Sequence, residues 1–346
     1  MIEKYKNNPI IRPADVKPSM EGYRVLGAFN PGAIQFNDEI LLLLRVAESC
    51  EEKKGYVRVP TYTFESGASR PGILELKADD PDVKLKDTRG VVYKGKDYLS
   101  TMSHIRLARS KDGFNFSVDD EPFIYPADEA EKYGCEDARV TRIGGSYYIN
   151  FTVISEDSWS TMLAKTNDFK IIERLGIIFH PENKDVAIFP EKVGNKYCAL
   201  HRPNNSGFGK ASIWYAESPD LLHWGNHKCI ARPRNIKWEA MKIGGGAPPI
   251  KTKKGWLVIY HGKGENSLYS LFTLLLDPDE PHKVVKRGTG PILVPTDKFE
   301  TDGFFGNVVF SNGVVEKDGK VFIYYGASDE ACGVAVTDID SLLASL

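Results

Sequence analysis

Short apolar runs recur along the chain, and a polar or glycine-containing turn introduces each of them. No long stretch shows the 3.6-residue spacing of an amphipathic helix, so the predicted elements are short strands. Five runs are nearly continuous in apolar residues and resemble one another: 39–45, 146–152, 196–202, 255–261 and 320–326. Continuous apolar sequence of this length is typical of a strand covered on both faces, because successive side chains point to opposite sides of a sheet.

A short strand that begins with polar residues precedes each run. Another short strand follows it and ends in a turn of small residues and aspartate. The repeating unit is about fifty to sixty residues long, the size of a four-stranded propeller blade. Five units predict an all-β chain folded as a five-bladed β-propeller, with 1–346 as a single catalytic domain. A β-sandwich is less favoured, because its strands would be spaced more closely and less regularly.

The period is broken once, at about 51–103, which we interpret as an insertion in the first unit. The part of this insertion rich in Gly, Ser, Arg and Pro, 66–72, is expected to form a loop over one face. The last unit lacks a fourth strand. We therefore expect the N-terminal segment to supply it and close the ring, which would remove an exposed sheet edge.

Composition excludes several classes of protein. The net charge of −2 and the pI near 6.4 leave no basic excess for binding nucleic acid. The N-terminus has no apolar core, so no signal peptide is expected, and the longest aliphatic run, 40–44, is too short to span a membrane. The five cysteines are scattered without a CxxC spacing, which favours a reducing cytoplasm and no structural metal. Composition leaves open whether the chain forms a homo-oligomer.

Charged residues collect where buried strands begin or end. Glu136, Asp137 and Arg139 lie directly before the apolar segment 147–151, where a structural ion pair and a functional site are equally good interpretations. Three of the five apolar runs end in Arg45, Arg202 and His261. Positive side chains brought together need a counter-charge, so a bound anion is the simpler explanation for all three. In a propeller the innermost strands line a central channel. The repeat would bring four further polar residues to this channel, namely Asn30, Asp185, Lys242 and Asp329.

Motifs along essentially the whole chain make it resemble glycoside hydrolase family 130, which contains β-mannoside phosphorylases and some β-mannosidases on a five-bladed propeller. The motifs are NPII (8–11), FNPGA (29–33), LLR (43–45), EDARV (136–140), FPEK (189–192), LHRP (200–203), KIGGG (242–246), IYHG (259–262) and YYGASD (324–329). Each is weak alone, whereas nine in the right order are a strong signal.

The resemblance implies specific roles. Asp137 matches the general acid, whose proton passes through the 3-hydroxyl of the mannosyl unit. Inorganic phosphate is expected to be held by Arg202, Lys242, His261 and Tyr269. The residues expected around the sugar are Asn30, Arg45, Glu136, Arg139, Asp185 and Asp329, although the division between sugar and phosphate contacts stays open.

One acid accompanied by several cations favours phosphorolysis. A hydrolase needs a second carboxylate to activate water, whereas phosphate arrives ionised and only has to be held. We therefore expect inverting phosphorolysis of a β-mannoside, such as β-1,2-mannobiose or a short β-1,2-mannooligosaccharide, with phosphate as co-substrate and no other cofactor or metal. Two alternatives stay open. One is a β-1,2-mannosidase, for whose catalytic base Glu239 or Glu265 could be mistaken, and the other is a carbohydrate-binding propeller without catalysis.

Overall fold

The computed structural model describes residues 2–65, 68–86, 89–204 and 207–346. Strands dominate it, so the predicted all-β class is confirmed. The chain opens with β1 (Glu3–Lys4) and a 3₁₀ turn (Pro13–Asp15), followed by two long strands, β2 (Tyr23–Phe36) and β3 (Glu39–Cys50).

Between β3 and the third strand of the first sheet, the chain builds two small sheets. A hairpin pairs β4 (Tyr56–Glu65) with β5 (Ala68–Lys77). A three-stranded sheet follows, made of β6 (Val83–Leu85), β7 (Gly90–Tyr93) and β8 (Lys96–Leu99). The first sheet is then completed by β9 (Thr101–Ser110) and β10 (Ser117–Val118), in the order β10-β9-β3-β2.

The loop predicted at 66–72 is wrong for most of its length. Residues 66 and 67 lie outside the described part of the chain, and 68–72 belong to β5. Its proline, Pro71, pairs with Tyr62 in a two-stranded ribbon, where a strand has a free edge and a missing N–H is tolerated. The glycine and proline content was therefore a sign of an edge strand.

Three more antiparallel sheets follow in chain order, and the fifth closes with the N-terminal strand. After a 3₁₀ turn (Glu129–Glu131), the second sheet contains β11 (Cys135–Ile143), β12 (Ser146–Ser155), β13 (Ser158–Thr166) and β14 (Glu173–Phe179). The third contains β15 (Asn183–Ile188), β16 (Tyr197–Pro203), β17 (Ile213–Ser218) and β18 (Gly225–Ala231). The fourth contains β19 (Lys242–Gly245), β20 (Ile250–Thr252), β21 (Gly255–Lys263), β22 (Tyr269–Leu276) and β23 (Val284–Arg287), with a 3₁₀ turn at Glu265–Ser267.

The fifth sheet begins after the short helix α1 (Lys298–Thr301). It consists of β24 (Val309–Lys317), β25 (Lys320–Ala327) and β26 (Ala331–Thr337), and α2 (Ile339–Ala344) follows it. Its outermost strand is β1, which pairs with β26 through Glu3 opposite Val336 and Lys4 opposite Ala335. The prediction that the N-terminal segment supplies the missing strand is confirmed.

The hydrophobic core is divided into five main clusters, and each lies between two of the five sheets. On β3, Leu41 and Leu43 pack with the second sheet, while Leu42 and Leu44 pack with the fifth. The other clusters join the second sheet to the third, the third to the fourth, and the fourth to the fifth. Because a strand alternates its side chains between two faces, a strand buried on both sides must be apolar throughout. The five continuous runs in the sequence have this origin.

The first strands of the sheets lie side by side: β2 contacts β11 and β24, and β15 contacts β11 and β19. The ends of these strands therefore meet at one place. None of the helices in the described residues has the length and apolar character needed to cross a membrane.

Candidate active site

The same irregularity occurs in the first strand of four sheets. The pairing register shifts between Phe29 and Gly32 in β2, between Glu136 and Arg139 in β11, between Lys184 and Ala187 in β15, and between Phe310 and Gly313 in β24. A β-bulge turns a side chain away from the regular alternation and is common beside active sites.

Three predicted site residues lie in these bulges with backbone φ angles in the left-handed region: 47° at Asn30, 51° at Asp137 and 55° at Asp185. This conformation is uncommon for residues other than glycine, although Asn and Asp tolerate it better than most. The repeated bulge thus directs one polar side chain from each of the first three sheets towards the same space.

That space is a cavity of about 270 Å³, which we call the site cavity. Ten of the eleven predicted site residues line it: Asn30, Arg45, Glu136, Asp137, Asp185, Arg202, Lys242, His261, Tyr269 and Asp329. The lining also contains Arg89, Lys184, Lys263, Ser267, Phe305, Val308 and Phe310. Residues far apart in the chain converge here because the strands that carry them are adjacent.

Asp137 is buried and held from two sides. Nδ2 of Asn30 donates a hydrogen bond to its Oδ1 at 3.0 Å, and Nη1 of Arg45 lies 3.3 Å from the same oxygen. Burial alone would raise the pKa of Asp137, but the guanidinium groups of Arg45 and Arg139 outweigh burial and hold the pKa below its ordinary value. In the protein without ligand, Asp137 is therefore ionised at neutral pH.

Arg45 links the acidic residues of this wall. Its Nη2 donates to Glu136 at 2.7 Å and its Nε donates to the hydroxyl of Ser103 at 3.0 Å. Burial would lower the pKa of Arg45, but the carboxylates of Glu136 and Asp137 raise it above its ordinary value. Asp329 faces the same cluster, and its pKa is raised to about 6 by burial, with Asp137 contributing in the same direction and Arg45 opposing.

Positive side chains occupy the part of the cavity formed by the third and fourth sheets. They are Lys184, Arg202, Lys242 and Lys263. The Nζ atoms of Lys242 and Lys263 each lie 5.5 Å from the centre of the Tyr269 ring. Burial lowers the pKa of Lys242 to about 7, and Arg202 and Lys184 add to the shift by repulsion. Cations this close favour a bound anion.

Sequence reasoning missed Lys184 and Lys263, although a signal for both was present. Lys184 directly precedes Asp185, where the bulge of β15 allows consecutive side chains to reach the cavity. Lys263 lies two residues after His261 in β21, and residues two apart in a strand share one face.

Asp185 is the carboxylate at the centre of this cationic region. It accepts from Nε of Arg202 at 2.5 Å, while Nη2 of Arg139 lies 3.4 Å and Nε2 of His261 lies 3.3 Å from its oxygens. Burial would raise the pKa of Asp185, but these partners, Arg202 above all, hold it well below its ordinary value. The Asp185 oxygens are thus engaged by the protein.

His261 differs from its predicted role as a basic group. It is 1% exposed, and burial lowers its pKa to about 4 despite the opposing effect of Asp185. The imidazole is neutral at neutral pH, so it can donate to Asp185 from Nε2 but brings no positive charge. The positive charge comes from the arginine and the lysines instead.

Arg139 is the one predicted site residue that does not line the cavity. It is 1% exposed and lies in the wall, where Nη1 donates to the backbone carbonyl of Asp137 at 3.0 Å and Nη2 reaches Asp185. Further contacts join it to the carbonyls of Gly245 and Gly246. Arg139 therefore ties three sheets together behind the cavity.

The two glutamates considered as a hydrolytic base lie outside the cavity lining. Glu239 is fully buried and accepts hydrogen bonds from Tyr260 and Arg287 at 2.9 Å each, besides its contact with Arg234. Its oxygens are engaged in a structural network. Within the part of the chain that the structure describes, no cluster of three or more His, Cys, Asp or Glu side chains could hold a metal ion.

Comparison with known sequences finds relatives that cover most of this chain. The model of glycoside hydrolase family 130, described as β-1,4-mannooligosaccharide phosphorylase, matches residues 81–346. A β-1,2-mannobiose phosphorylase of Listeria innocua is 43% identical over 98% of this chain and 97% of its own length. A 1,2-β-oligomannan phosphorylase of a Thermoanaerobacter species is 39% identical over 71% of this chain and 82% of its own length.

The structural comparison extends over the whole molecule. The solved structure of the Listeria innocua β-1,2-mannobiose phosphorylase in complex with β-1,2-mannobiose superposes with a TM-score of 0.92 at 42% identity. The match covers 100% of this chain and 99% of that chain. The chain therefore belongs to glycoside hydrolase family 130.

Proposed function

We propose that the chain catalyses the inverting phosphorolysis of β-mannosides, with β-1,2-mannobiose or a short β-1,2-mannooligosaccharide as substrate. The products are α-D-mannose 1-phosphate and a sugar shortened by one residue. The arrangement that carries this proposal is one acid and a group of cations around the same cavity. Asp137 contacts Asn30 and Arg45 of the first sheet, whereas the cations Lys184, Arg202, Lys242 and Lys263 belong to the third and fourth sheets.

In this mechanism, phosphate occupies the region of Lys184, Arg202, Lys242 and Lys263. Because Nε of Arg202 is used by Asp185, its two terminal nitrogens are left as a fork for the phosphate oxygens. Tyr269 lies beside Lys242 and Lys263 and offers its hydroxyl to the phosphate. Holding the anion in place converts the attack of phosphate into a step within one complex, which lowers its entropic cost.

Bond changes then follow on opposite faces of the mannosyl ring. An oxygen of phosphate forms a bond with the anomeric carbon while the bond from that carbon to the glycosidic oxygen breaks, so the β-linkage becomes an α-phosphate. Asp137 supplies the proton that the leaving oxygen receives, through the mannosyl 3-hydroxyl.

Asp137 must first gain that proton, because its pKa is depressed in the protein without ligand. Bound phosphate brings negative charge beside Lys184, one of the cations that lower this pKa. Compensation of that cation raises the pKa of Asp137. Phosphate binding would thus favour the protonated form of Asp137 as well as position the nucleophile.

The proposal also includes the architecture, the cellular location and the co-substrate, and each of these is argued separately. Five antiparallel sheets, four of four strands and one with the additional strand β20, are joined in a cycle by five core clusters, which supports a single five-bladed β-propeller. All five cysteines are free thiols, which supports a cytoplasmic location. We propose inorganic phosphate as the co-substrate, without a further cofactor or a metal.

The proposal is tested by incubating the protein with β-1,2-mannobiose in the presence and absence of phosphate and following the products by phosphorus and proton NMR. We expect equal amounts of α-mannose 1-phosphate and mannose, formed only with phosphate. Release of two mannose molecules without dependence on phosphate would instead identify a β-1,2-mannosidase. Binding of the sugar without any turnover would identify a carbohydrate-binding protein.

A further inference from the structure

The bulges of the candidate active site take backbone carbonyls out of the regular pairing of their strands. The register shift of β2 leaves Asn30 between two paired positions, and that of β15 leaves Asp185 and Val186 between two paired positions. A buried carbonyl that has left the ladder still needs a hydrogen-bond donor, because an unsatisfied polar group inside a protein costs free energy. In both bulges, a buried asparagine of a neighbouring sheet supplies this donor.

The donor for the bulge of β2 is Asn312, which lies on β24 of the fifth sheet. This residue is 0% exposed, and its Nδ2 donates to the backbone carbonyl of Asn30 at 3.1 Å. Nδ2 of Asn30 in turn donates to Oδ1 of Asp137 at 3.0 Å. Two consecutive contacts therefore connect the fifth sheet, through Asn30, to the proposed acid in the second sheet.

A second element of the fifth sheet confines the same bulge. Gly326 of β25 lies against Asn30, where an added methyl group would overlap Oδ1 of Asn30 and lie 2.6 Å from its backbone nitrogen. Asn30 has a left-handed φ of 47°, and such a conformation persists at a residue other than glycine where the surrounding structure enforces it. Asn312 and Gly326 thus fix the conformation of Asn30 and the direction of its amide.

The bulge of β15 is held in the same way from the second sheet. Asn150 of β12 is 1% exposed, and its Nδ2 donates to the backbone carbonyl of Val186 at 2.7 Å. Val186 directly follows Asp185, whose carboxylate orients the guanidinium of Arg202. The same contact therefore occurs twice, once at the bulge that contacts the acid and once at the bulge that contacts Arg202.

We propose that Asn312 and Asn150 are positioning residues of the reaction. Asn312 holds Asn30 in the conformation that donates to Asp137. Asn150 holds the backbone beside Asp185 and thereby the arginine that receives phosphate. The inference rests on the proposed function, and it gives a role in the reaction to two residues that lie outside the cavity lining.

The two roles differ in the kinetic constant that they affect. A misplacement of about 1 Å at a reacting group can cost about 10²-fold in rate. For Asn312→Ala we expect kcat with β-1,2-mannobiose to fall by about ten- to hundredfold, while KM for phosphate stays within about twofold. Asn150→Ala should instead raise KM for phosphate by about tenfold, with a smaller change in kcat. Each variant is the matched control for the other, because both remove a bond from a buried asparagine to a backbone carbonyl.

A double-mutant cycle shows whether Asn312 acts through Asn30. In an Asn30→Ala background the amide that reaches Asp137 is gone, so adding Asn312→Ala should change kcat by less than about twofold. Gly326→Ala disturbs the same bulge and leaves Asn312 in place. It should reproduce the loss of kcat, and it tests the same role if Asn312→Ala does not fold.

The outcomes separate this inference from the proposed function. If the unaltered protein forms no phosphate-dependent mannose 1-phosphate from mannobiose, the proposed function is wrong and the inference falls with it. If the unaltered protein is active but both asparagine variants change kcat and KM for phosphate alike, the two residues only stabilise the fold. A loss of kcat from Asn312→Ala that is equally large in the Asn30→Ala background also overturns the inference. Melting temperatures show that each variant is folded.

Discussion

Nε of Arg202 donates to Oδ2 of Asp185 across 2.5 Å, with both side chains buried at the wall of the site cavity. The pair fixes the guanidinium plane before any ligand arrives. Asp185 also contacts Arg139 and His261, so one carboxylate orients three side chains from three sheets. Such preorganisation is valuable because the site need not rearrange when phosphate binds.

Asp185→Asn should weaken both phosphate binding and the fold. Removing the charge leaves Arg139 and Arg202 buried without their counter-charge, and breaking a buried ion pair costs about 3–5 kcal/mol. We expect a loss of that order in the free energy of unfolding measured with denaturant, and a higher KM for phosphate. Glu191→Gln is the control, because the Glu191–Lys251 pair is exposed and should change stability by less than about 0.5 kcal/mol. Equal stabilities of the two variants would contradict this view of Asp185.

Asp137→Asn should abolish turnover while the fold persists. An amide keeps the shape and the contact with Asn30 but cannot deliver a proton, and general acid catalysis contributes about 10²–10⁴-fold to rate. We expect kcat to fall by at least about a hundredfold, measured as release of mannose 1-phosphate. Calorimetry with mannobiose should still detect binding. Normal kcat in this variant would remove Asp137 from the mechanism.

Phosphate affinity should fall as the pH rises through about 7. Lys242 has a pKa of about 7 in the protein without ligand, so it is charged below this pH and neutral above it. Loss of the charge removes one attraction for phosphate, and KM for phosphate should rise while kcat changes less. Lys242→Arg keeps the charge at every accessible pH and should reduce the rise. The same pH profile in both proteins would show that another group titrates.

Gly244→Ala tests how tightly the cationic region is packed. A methyl group at this position would overlap Oδ2 of Asp185 and lie 2.6 Å from Cε1 of His261. Displacing these side chains by about an ångström can cost roughly 10²-fold in rate. We expect a loss of that order in kcat/KM for phosphate. Gly290→Ala is the matched control, since its methyl group would meet nothing within 4 Å. Full activity of Gly244→Ala would mean that the wall is more compliant than the packing indicates.

The sequence by itself determined the all-β class, the five continuous apolar strands and most of the site. Continuous apolar runs such as that of β3 identify strands buried on both faces, because alternation along a strand is a local property. Polar residues at the ends of these runs and in the neighbouring strands, together with the motifs shared with the family, identified ten side chains of the site cavity. The sequence also indicated that the N-terminal segment would complete the last sheet.

Only the tertiary structure decided which charged side chains face the cavity and which are ionised. Arg139 lies two residues after Asp137, yet the bulge of β11 turns it into the wall, while Lys184 reaches the cavity beside its neighbour Asp185. His261 is neutral because burial lowers its pKa, and the pKa of Lys242 is lowered first by burial and then by the nearby cations Arg202 and Lys184. The orientation of a side chain at a bulge and the pKa of a buried group depend on atoms distant in the chain. Both are therefore set only when the sheets pack against one another.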